Sequence, residues 1–596
     1  MAPVDPVKQE VRSRRAWVLS TLVIASALVL AGRLFDLQVL GVAGYALQSE
    51  QNRVRREWIT APRGLILDCE GRVLADSRPS FAVLAVPRQV TGNERCLMLL
   101  AELLAMPPEK ILERLGQGSR HVPRVIRHDV PFAQVSQIAE QEEELPGVSI
   151  KVTNVRYYPL GSLAAHILGH VGEVPESEVS SLVERGYKAG DFAGRTGLER
   201  TYEGHLRGED GEKYLEVDAM GRVVGPFAGR EPVPARIGAT LDLHLDSELQ
   251  ALAESLLVGW RGAICLMDVG TGGMLAMASS PTFDPNLFAT GIGSEDWEQL
   301  NQDPELPLLD RCVQATYAPG STFKMIPMGL ALERGLLRLR EHMPVACYGG
   351  YRFGNRFFRC WQEMGHGSLD LEEALIQSCD TYFYQLGEQL TVDQLAAEAR
   401  GAGLGAKTGI DLPQELAGNV PTSRWFDERY GVGKWTRGAL LNLVIGQGEY
   451  LVTPLQLVRY AAAIANGGEL LEPRLVRSIS GSSAGAAAVE HRVTARWQLR
   501  RETFAALQEA MRLVVADEKG TGRGARVADF QPAGKTGTAE NPHGPPHSWF
   551  IGYAPADAPR VAFSVLVEAG GHGSDAAVPI ARQLLRALAG KVERPT

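Results

Sequence analysis

Between Ala16 and Gly32 the chain carries seventeen consecutive residues without a charge. A helix rises about 1.5 Å per residue, so this run sits at the short limit for crossing a hydrocarbon core of about 30 Å. Arg33 can snorkel to the interface, and Leu34, Phe35, Leu37, Val39 and Leu40 prolong the apolar character. Lys8, Arg12, Arg14 and Arg15 precede the run. Such a basic flank predicts a cytoplasmic N-terminus and an exported bulk. A cleaved signal peptide is the alternative, because Ala25-Ser26-Ala27 forms a small-residue site, but the apolar stretch continues past it. Arg33, not Cys, follows Gly32, which excludes lipid attachment there. Either reading exports the protein. No other segment has a comparable run, so a multi-pass transporter is excluded. The expected arrangement is a single-pass membrane protein whose bulk is exported.

The remaining length must fold in water. At roughly 150 residues per domain, 596 residues make two to four domains. Charged residues are 22% and hydrophobic ones 45%, which excludes a wholly disordered chain. The net charge of −9 lacks the basic field of a nucleic-acid binder. Residues 41–58 are polar and read as a juxtamembrane helix. Short strands broken at Asp68 to Gly71 follow over 62–90, then helical spacing over 96–116 interrupted by Pro107-Pro108. Pro226 to Gly238 is rich in proline and glycine and marks a boundary. Strands and helices alternate from Thr240 to Leu588. Ile479 to Val489 reads as a surface loop. The expected organisation is a tail over 1–15, a transmembrane helix over 16–40, a first exported domain over 41–235 and a second over 236–590.

Ser321-Thr322-Phe323-Lys324 sets a hydroxyl and an amine three residues apart. On one turn of helix they share a face. A serine becomes nucleophilic when a base takes its proton, and a lysine is that base once its surroundings depress its pKa. Alone, the tetrapeptide is an ordinary helix start as readily as a site. Ser378-Cys379-Asp380 follows inside the helical pattern LEEALIQSCDTYFYQL, and Lys535-Thr536-Gly537-Thr538 lies beyond it. Together they form the S-x-x-K, S-D-N-like and K-T-G trio of penicillin-recognising serine enzymes. Lysine is scarce, 11 of the 61 basic residues, which makes two lysines in these motifs a poor fit to chance. Two decoys are rejected. Lys407-Thr408-Gly409 opens a turn-like GIDLP, and Ser294-Glu295-Asp296 precedes the nucleophile in a Gly/Ser-rich loop.

Longer stretches carry a resemblance. GAICLMDVGTGGMLAMASSPTFDPNLF, YAPGSTFK, TGIDLPQE, IGQGEYLVTPLQL and GKTGTAE resemble the transpeptidase domain of class B penicillin-binding proteins. APRGLILDCEGRVLA, AAHILGHVGEV and GRTGLERTYEGHLRG resemble the N-terminal half of that class. Asp380 in the second motif, with GNVPTSRWF and CWQEMGHGSL, is similar to the elongation branch rather than the division branch. Cys69-Glu70, Asp310 and Cys312 depart from its usual residues. The resemblance implies an α/β (α+β) catalytic domain of the β-lactamase-like fold, an elongated α+β pedestal and one membrane helix. It implies a D,D-transpeptidase cross-linking peptidoglycan stem peptides through a serine acyl-enzyme, with D,D-carboxypeptidase activity as a side reaction and β-lactams as inhibitors. In it Ser321 attacks the D-Ala-D-Ala carbonyl and Lys324 takes its proton. Ser378 relays a proton to the leaving amine, Asp380 orients the pair and Lys535 adds positive field. Thr536, Gly537 and Thr538 bind the substrate carboxylate, and the N–H groups of Ser321 and Thr538 form the oxyanion hole. The implied partners are a SEDS-type glycosyltransferase and other membrane proteins of the elongation complex. A membrane-anchored β-lactamase, a β-lactam sensor and the division-specific transpeptidase are the rivals.

Seven cysteines make an odd number, and three of them join one histidine in Cys347, Cys360, His366 and Cys379. Four such ligands suit a closed structural zinc site. One disulfide with a spare thiol, or inert buried thiols, are the alternatives in an exported protein. The family resemblance raises zinc, since some relatives carry carboxylate, His and Cys ligands at matching places. The chemistry itself needs no cofactor. His572 and Asp575 read as part of a loop before the terminal helix, and His543 and His547 as exposed loop residues after the K-T-G strand.

Overall fold

A computed structural model describes residues 6–40, 54–116, 120, 122–182, 186–187, 190–218, 223–481, 487–528, 530–542 and 544–592. They divide into two compact units, Met1–Ala61 with Glu209–Arg236, and Pro62–Gly208 with Ile237–Thr596.

In the first unit, the helix Pro6–Phe35 continues as a π-helical turn, Asp36–Leu40. Its segment Arg14–Gln38 is long and apolar enough to cross a membrane, with a mean hydropathy of 2.1. Trp17, Leu22, Leu28 and Phe35 are all exposed, as expected for a helix whose whole circumference is apolar. The unit also holds an antiparallel sheet in the order Val54–Ile59, Gly211–Val217, Val223–Pro226. The expected juxtamembrane helix over 41–58 is therefore corrected at its end. Residues 54–58 are strand, and residues 41–53 lie outside the described residues. Arg55 and Arg56 look helix-compatible, but Val54, Trp58 and Ile59 suit a pleated surface. Arg56 packs over the Trp58 ring and pairs with Glu212 across the ladder.

In the second unit, Val73–Ala85 pairs with Ile66–Leu67, Arg124–Arg127 and Val148–Tyr157. The turn between the first two is the one read from Asp68 to Gly71. Asp68 Oδ1 accepts from the N–H groups of Glu70 and Arg72, and Gly71 takes φ +83°. A buried ionic node lies nearby. Glu199 accepts from Arg63 Nη2 and Arg156 Nε, each at 2.6 Å, and Arg63 also reaches Glu203 at 2.7 Å.

The largest core of this unit is built on a five-stranded antiparallel sheet, ordered Met274–Ser280, Gly262–Asp268, Val561–Val567, His547–Ala554, Ala533–Ala539. Successive side chains point to opposite faces. Ala263, Cys265 and Met267 thus join one core, and Ile264 and Leu266 another. The helix Pro454–Ala465, buried at every residue, packs on the first face, and Ala577–Val592 on the second. The sheet is buried on both sides, so its central strands read as unbroken apolar runs, and its edge strand Ala533–Ala539 packs against the Gly320–Lys324 turn.

Candidate active site

The first motif, Ser321 to Lys324, lies in a 3₁₀ turn, Gly320–Lys324, running into the helix Met325–Glu333. Side chains three apart eclipse in such a turn, which sets Ser321 above Lys324 more directly than an α-turn would. Gly320 has φ +55°, and a Cβ there would fall 2.4 Å from the Thr538 carbonyl oxygen. Only glycine lets the turn press against the edge strand. Its N–H donates to Gly446 O at 2.9 Å, and Trp549 Nε1 donates to Ala318 O at 3.1 Å. The turn is thus held from two sides. Lys324 is fully buried and Ser321 half-buried.

The second motif does not continue a helix. Leu371–Ile376 ends, Ser378 takes φ +55°, and a new helix, Asp380–Glu388, begins. This corrects the expectation that Ser378 lies inside a helical pattern. A non-glycine residue in the left-handed region is strained, and tertiary hydrogen bonds hold it there. Ser378 O accepts from Lys324 Nζ at 2.8 Å and from Trp361 Nε1 at 3.1 Å. Ser378 Oγ accepts from Lys324 Nζ at 3.3 Å and Lys535 Nζ at 2.9 Å. Ser378 Oγ thus lies between the two lysine Nζ atoms. Asp380 Oδ1 takes the third Lys324 contact at 2.7 Å, and Asp380 Oδ2 accepts from Trp361 N at 3.1 Å.

The third motif is the edge strand itself. Burial and the neighbouring Lys324 charge push the Lys535 pKa well below its ordinary value, against Asp380, which raises it. Two buried lysines face one carboxylate, so one of them is driven toward the neutral amine. Thr536 Oγ1 lies 2.6 Å from Thr521 Oγ1. Gly537 keeps the strand close to the Ser321 turn, because a Cβ there would meet Thr322 Cγ2 at 2.7 Å. Thr538 O accepts from Gln447 Nε2 at 2.8 Å.

All three motifs therefore converge, and Trp361, Gln447 and Thr521 join them. Trp361 and Gln447 sit within CWQEMGHGSL and IGQGEY, so nearness to a motif was their signal; Thr521 had none. The Lys407 decoy is coil, its Thr408 N–H bound by Glu415 Oε1 at 2.6 Å. Ser294 starts a helix, Ser294–Gln302, rather than lying in a loop, because acidic residues fill its first turn. His547 begins the strand His547–Ala554, half-buried, where its Nδ1 accepts from Ala569 N, so the exposed-loop reading is corrected. His543 lies outside the described residues. His572 and Asp575 are in the loop before Ala577–Val592, as read.

Cys347, Cys360, His366 and Cys379 meet, their donor atoms all within 4.8 Å of one another. All seven cysteines are free thiols. Cys347 and Cys360 Sγ lie 3.5 and 3.6 Å from His366 Nδ1. A tetrahedral zinc with sulfur at about 2.3 Å and nitrogen at about 2.0–2.1 Å sets those atoms about 3.6 Å apart. The donor set thus fits zinc. Hydrogen bonds with Cys360 and Cys379 lower the Cys347 pKa, and those with Cys347 and Cys360 raise that of Cys379, so the thiols share their protons among themselves. Cys379 caps the helix Asp380–Glu388 and adjoins Ser378, which ties the cluster to the second motif.

Comparison with known proteins agrees with this architecture. The family described as penicillin binding protein transpeptidase domain matches residues 262–586, and the penicillin-binding protein dimerisation domain matches residues 58–240. The peptidoglycan D,D-transpeptidase MrdA of Acinetobacter baumannii is 34% identical over 96% of this chain and 88% of its own length. Penicillin-binding protein 2 of Helicobacter pylori, solved in complex with MreC, matches with a TM-score of 0.78 at 28% identity. That match covers 90% of this chain and 99% of that one. A chain from a peptidoglycan synthase complex that coordinates polymerisation and crosslinking matches with a TM-score of 0.71 at 33% identity, covering 98% and 99%. The chain belongs to the class B penicillin-binding proteins. Within that class it is of the penicillin-binding protein 2, or MrdA, type.

Proposed function

We propose that Ser321 is the nucleophile of a peptidoglycan D,D-transpeptidase acting in cell elongation. The observation that carries this is the position of Ser378 Oγ between Lys324 and Lys535, with Asp380 against Lys324. A shift of one proton from Lys324 to Ser378 Oγ, with the Ser378 proton passing to a neutral Lys535, leaves Lys324 neutral and Lys535 charged. Lys324 then accepts the Ser321 proton as Oγ attacks the D-Ala-D-Ala carbonyl. Charge on that oxygen falls to the N–H groups of Ser321 and Thr538, worth about 3–4 kcal/mol per donor. Thr536, Gly537 and Thr538 bind the terminal carboxylate. Ser378 hands its proton to the departing D-alanine amine as Lys324 passes on to Ser378 Oγ the proton taken from Ser321, completing the acyl-enzyme. An amine of a neighbouring stem peptide attacks the ester, its proton returns through the same groups, and Ser321 regains its own. Water in place of that amine gives carboxypeptidase hydrolysis, and a β-lactam stalls at the acyl stage.

Zinc held by Cys347, Cys360, His366 and Cys379 would be structural, bracing the Ser378 segment; the four-donor geometry supports this. The proposed domains are a tail over 1–15, a membrane helix over 16–40, a pedestal over 41–235 and a transpeptidase over 236–590. The orientation, cytoplasmic N-terminus and periplasmic bulk in the inner membrane, rests on the basic flank before the apolar run. The described complexes of relatives with MreC and within a peptidoglycan synthase support elongation-complex partners; the SEDS-type glycosyltransferase among them is what the family resemblance implies. Fluorescent penicillin tests the core of the reading. Stable labelling over hours that Ser321→Ala abolishes is expected; label lost within minutes would indicate a β-lactamase, and no label on folded protein would overturn the assignment.

A further inference from the structure

The hairpin of Gly350–Phe353 and Arg356–Arg359 borders the catalytic residues yet takes no part in the steps above. Its register sets Arg352 opposite Phe357 and Gly350 opposite Arg359. Cross-strand partners share a face, and faces alternate along each strand. Arg352, Phe357 and Arg359 therefore lie on one side, and Tyr351 and Phe358 on the other. The second side is turned inward. Phe358 is buried with its ring 5.5 Å from that of Tyr384, and Tyr351 OH bonds Glu388. The first side is turned outward: Arg352 and Arg359 are exposed and Phe357 is 48% exposed. Gly350 leaves room for that ring, since a Cβ there would fall 2.5 Å from Phe357 Cζ. Among the described residues, neither arginine has a carboxylate within 4.0 Å. An uncompensated basic and aromatic face is a local exception in a chain of net charge −9.

The location of this face is informative. Two residues after Arg359, Trp361 bonds Asp380 Oδ2 and Ser378 O. Tyr384 OH donates to Arg359 O at 3.0 Å. At about 3.3 Å per residue, the stretch from Phe357 to Trp361 covers about 13 Å, the length of an extended tetrapeptide. Cys347 and Cys360 flank the hairpin, so the cysteine cluster fixes its base.

We propose that Arg352, Phe357 and Arg359 bind the acceptor stem peptide, pairing its carboxylates with the guanidinium groups and resting its aliphatic parts on the ring. This rests on the transpeptidase reading, in which a second, anionic strand must bring an amine to the acyl-enzyme. The lysines and the Thr536–Thr538 strand serve the donor, so the acceptor calls for a separate charged site. A guanidinium fork matches a carboxylate, and exposed charge of one sign steers an oppositely charged ligand.

The test uses the full chain in detergent, a thioester donor that acylates Ser321, and a stem tetrapeptide with its free amine and carboxylates as acceptor. The partition between hydrolysis and aminolysis is followed against acceptor concentration and salt. Arg352→Glu with Arg359→Glu is expected to raise the half-saturating acceptor concentration about tenfold and to abolish its weakening by salt. Penicillin acylation, which involves only the donor site, is expected within about twofold of wild type by the same reasoning. Should the double reversal lose penicillin labelling, Arg359→Gln alone decides, with about a threefold rise expected. An unchanged acceptor curve overturns the proposal. So does an unchanged curve with lost binding to phosphatidylglycerol vesicles, which would assign the face to lipid. Wild type that takes no penicillin label would instead overturn the transpeptidase reading itself.

Discussion

Lys324 Nζ and Asp380 Oδ1 lie 2.7 Å apart, the lysine side chain fully buried and the carboxylate 11% exposed. Removing one partner of a buried pair leaves the other uncompensated, at about 3–5 kcal/mol. Asp380→Ala should therefore both destabilise the catalytic domain and slow penicillin acylation at least about 100-fold, since Lys324 loses the anchor that orients it. Asp380→Asn keeps an oxygen for Lys324 and should retain more of the rate. Stopped-flow acylation and thermal melts of the two variants separate these outcomes. Equal losses in both would show that the charge, not the acceptor oxygen, is what matters.

Lys535 offers a pH signature. Burial and the Lys324 charge lower its pKa in the folded protein, while the unfolded chain titrates near the ordinary 10.5. Below the folded pKa both states are protonated and the folded state bears the whole burial penalty. Above it, the unfolded state binds more protons, so stability rises with pH until the unfolded lysine also deprotonates. Relative to Lys535→Met, wild type should gain up to about 1.4 kcal/mol per pH unit within that window. Denaturation midpoints of both proteins between pH 7 and 10 give the comparison; a pH-independent difference would mean that Lys535 is charged throughout.

The three motifs were legible because their chemistry is written in contiguous tetrapeptides. The shape around Ser378 was not. LEEALIQSCDTYFYQL contains no glycine or proline to punctuate a helix, and local propensity favours continuing it. The break is imposed from outside, by Lys324 and Trp361 converging on Ser378 O. Residues 54–58 show the same limit in another form. Their arginines suit a helix surface, and the distant partner strand Gly211–Val217 decides otherwise. The cysteine cluster was legible as a set of ligands but not as a geometry, because Cys347 and Cys379 come from either side of the hairpin and its return segment.

Glu199 receives Arg63 and Arg156 with its side chain fully buried. Burial alone would raise its pKa, but the charges of Arg156 and Arg63 overcome that and hold it below the ordinary 4.5. A depressed carboxyl contributes stability that is present above the unfolded pKa and lost as pH falls through the folded value. Glu199→Gln leaves two buried guanidinium groups short of a counter-charge, and should cost about 3–5 kcal/mol at pH 7. The variant should also lose less stability than wild type on acidification below pH 4.5. Calorimetry of the full chain at pH 7 and pH 3.5 measures both effects. Identical acid sensitivity would show that Glu199 is not the titrating group.

The cysteine cluster predicts a dependence of catalysis on metal. Protein purified without chelator should contain one zinc per chain by elemental analysis. His366→Ala removes one of four donors and exposes a coordination position, so zinc content should fall and the melting temperature with it. Because Cys379 is both donor and cap of the helix that begins at Asp380, the loss should reach Ser378. Penicillin acylation by His366→Ala should slow by about tenfold or more, as expected when a supporting shell is lost, and added zinc should not restore it. Wild type stripped by chelator should behave the same way but recover with zinc, which separates a bracing metal from a merely damaged fold. A Cys347–Cys360 disulfide in mass spectra of the native protein, or full acylation by metal-free wild type, would rule the bracing role out.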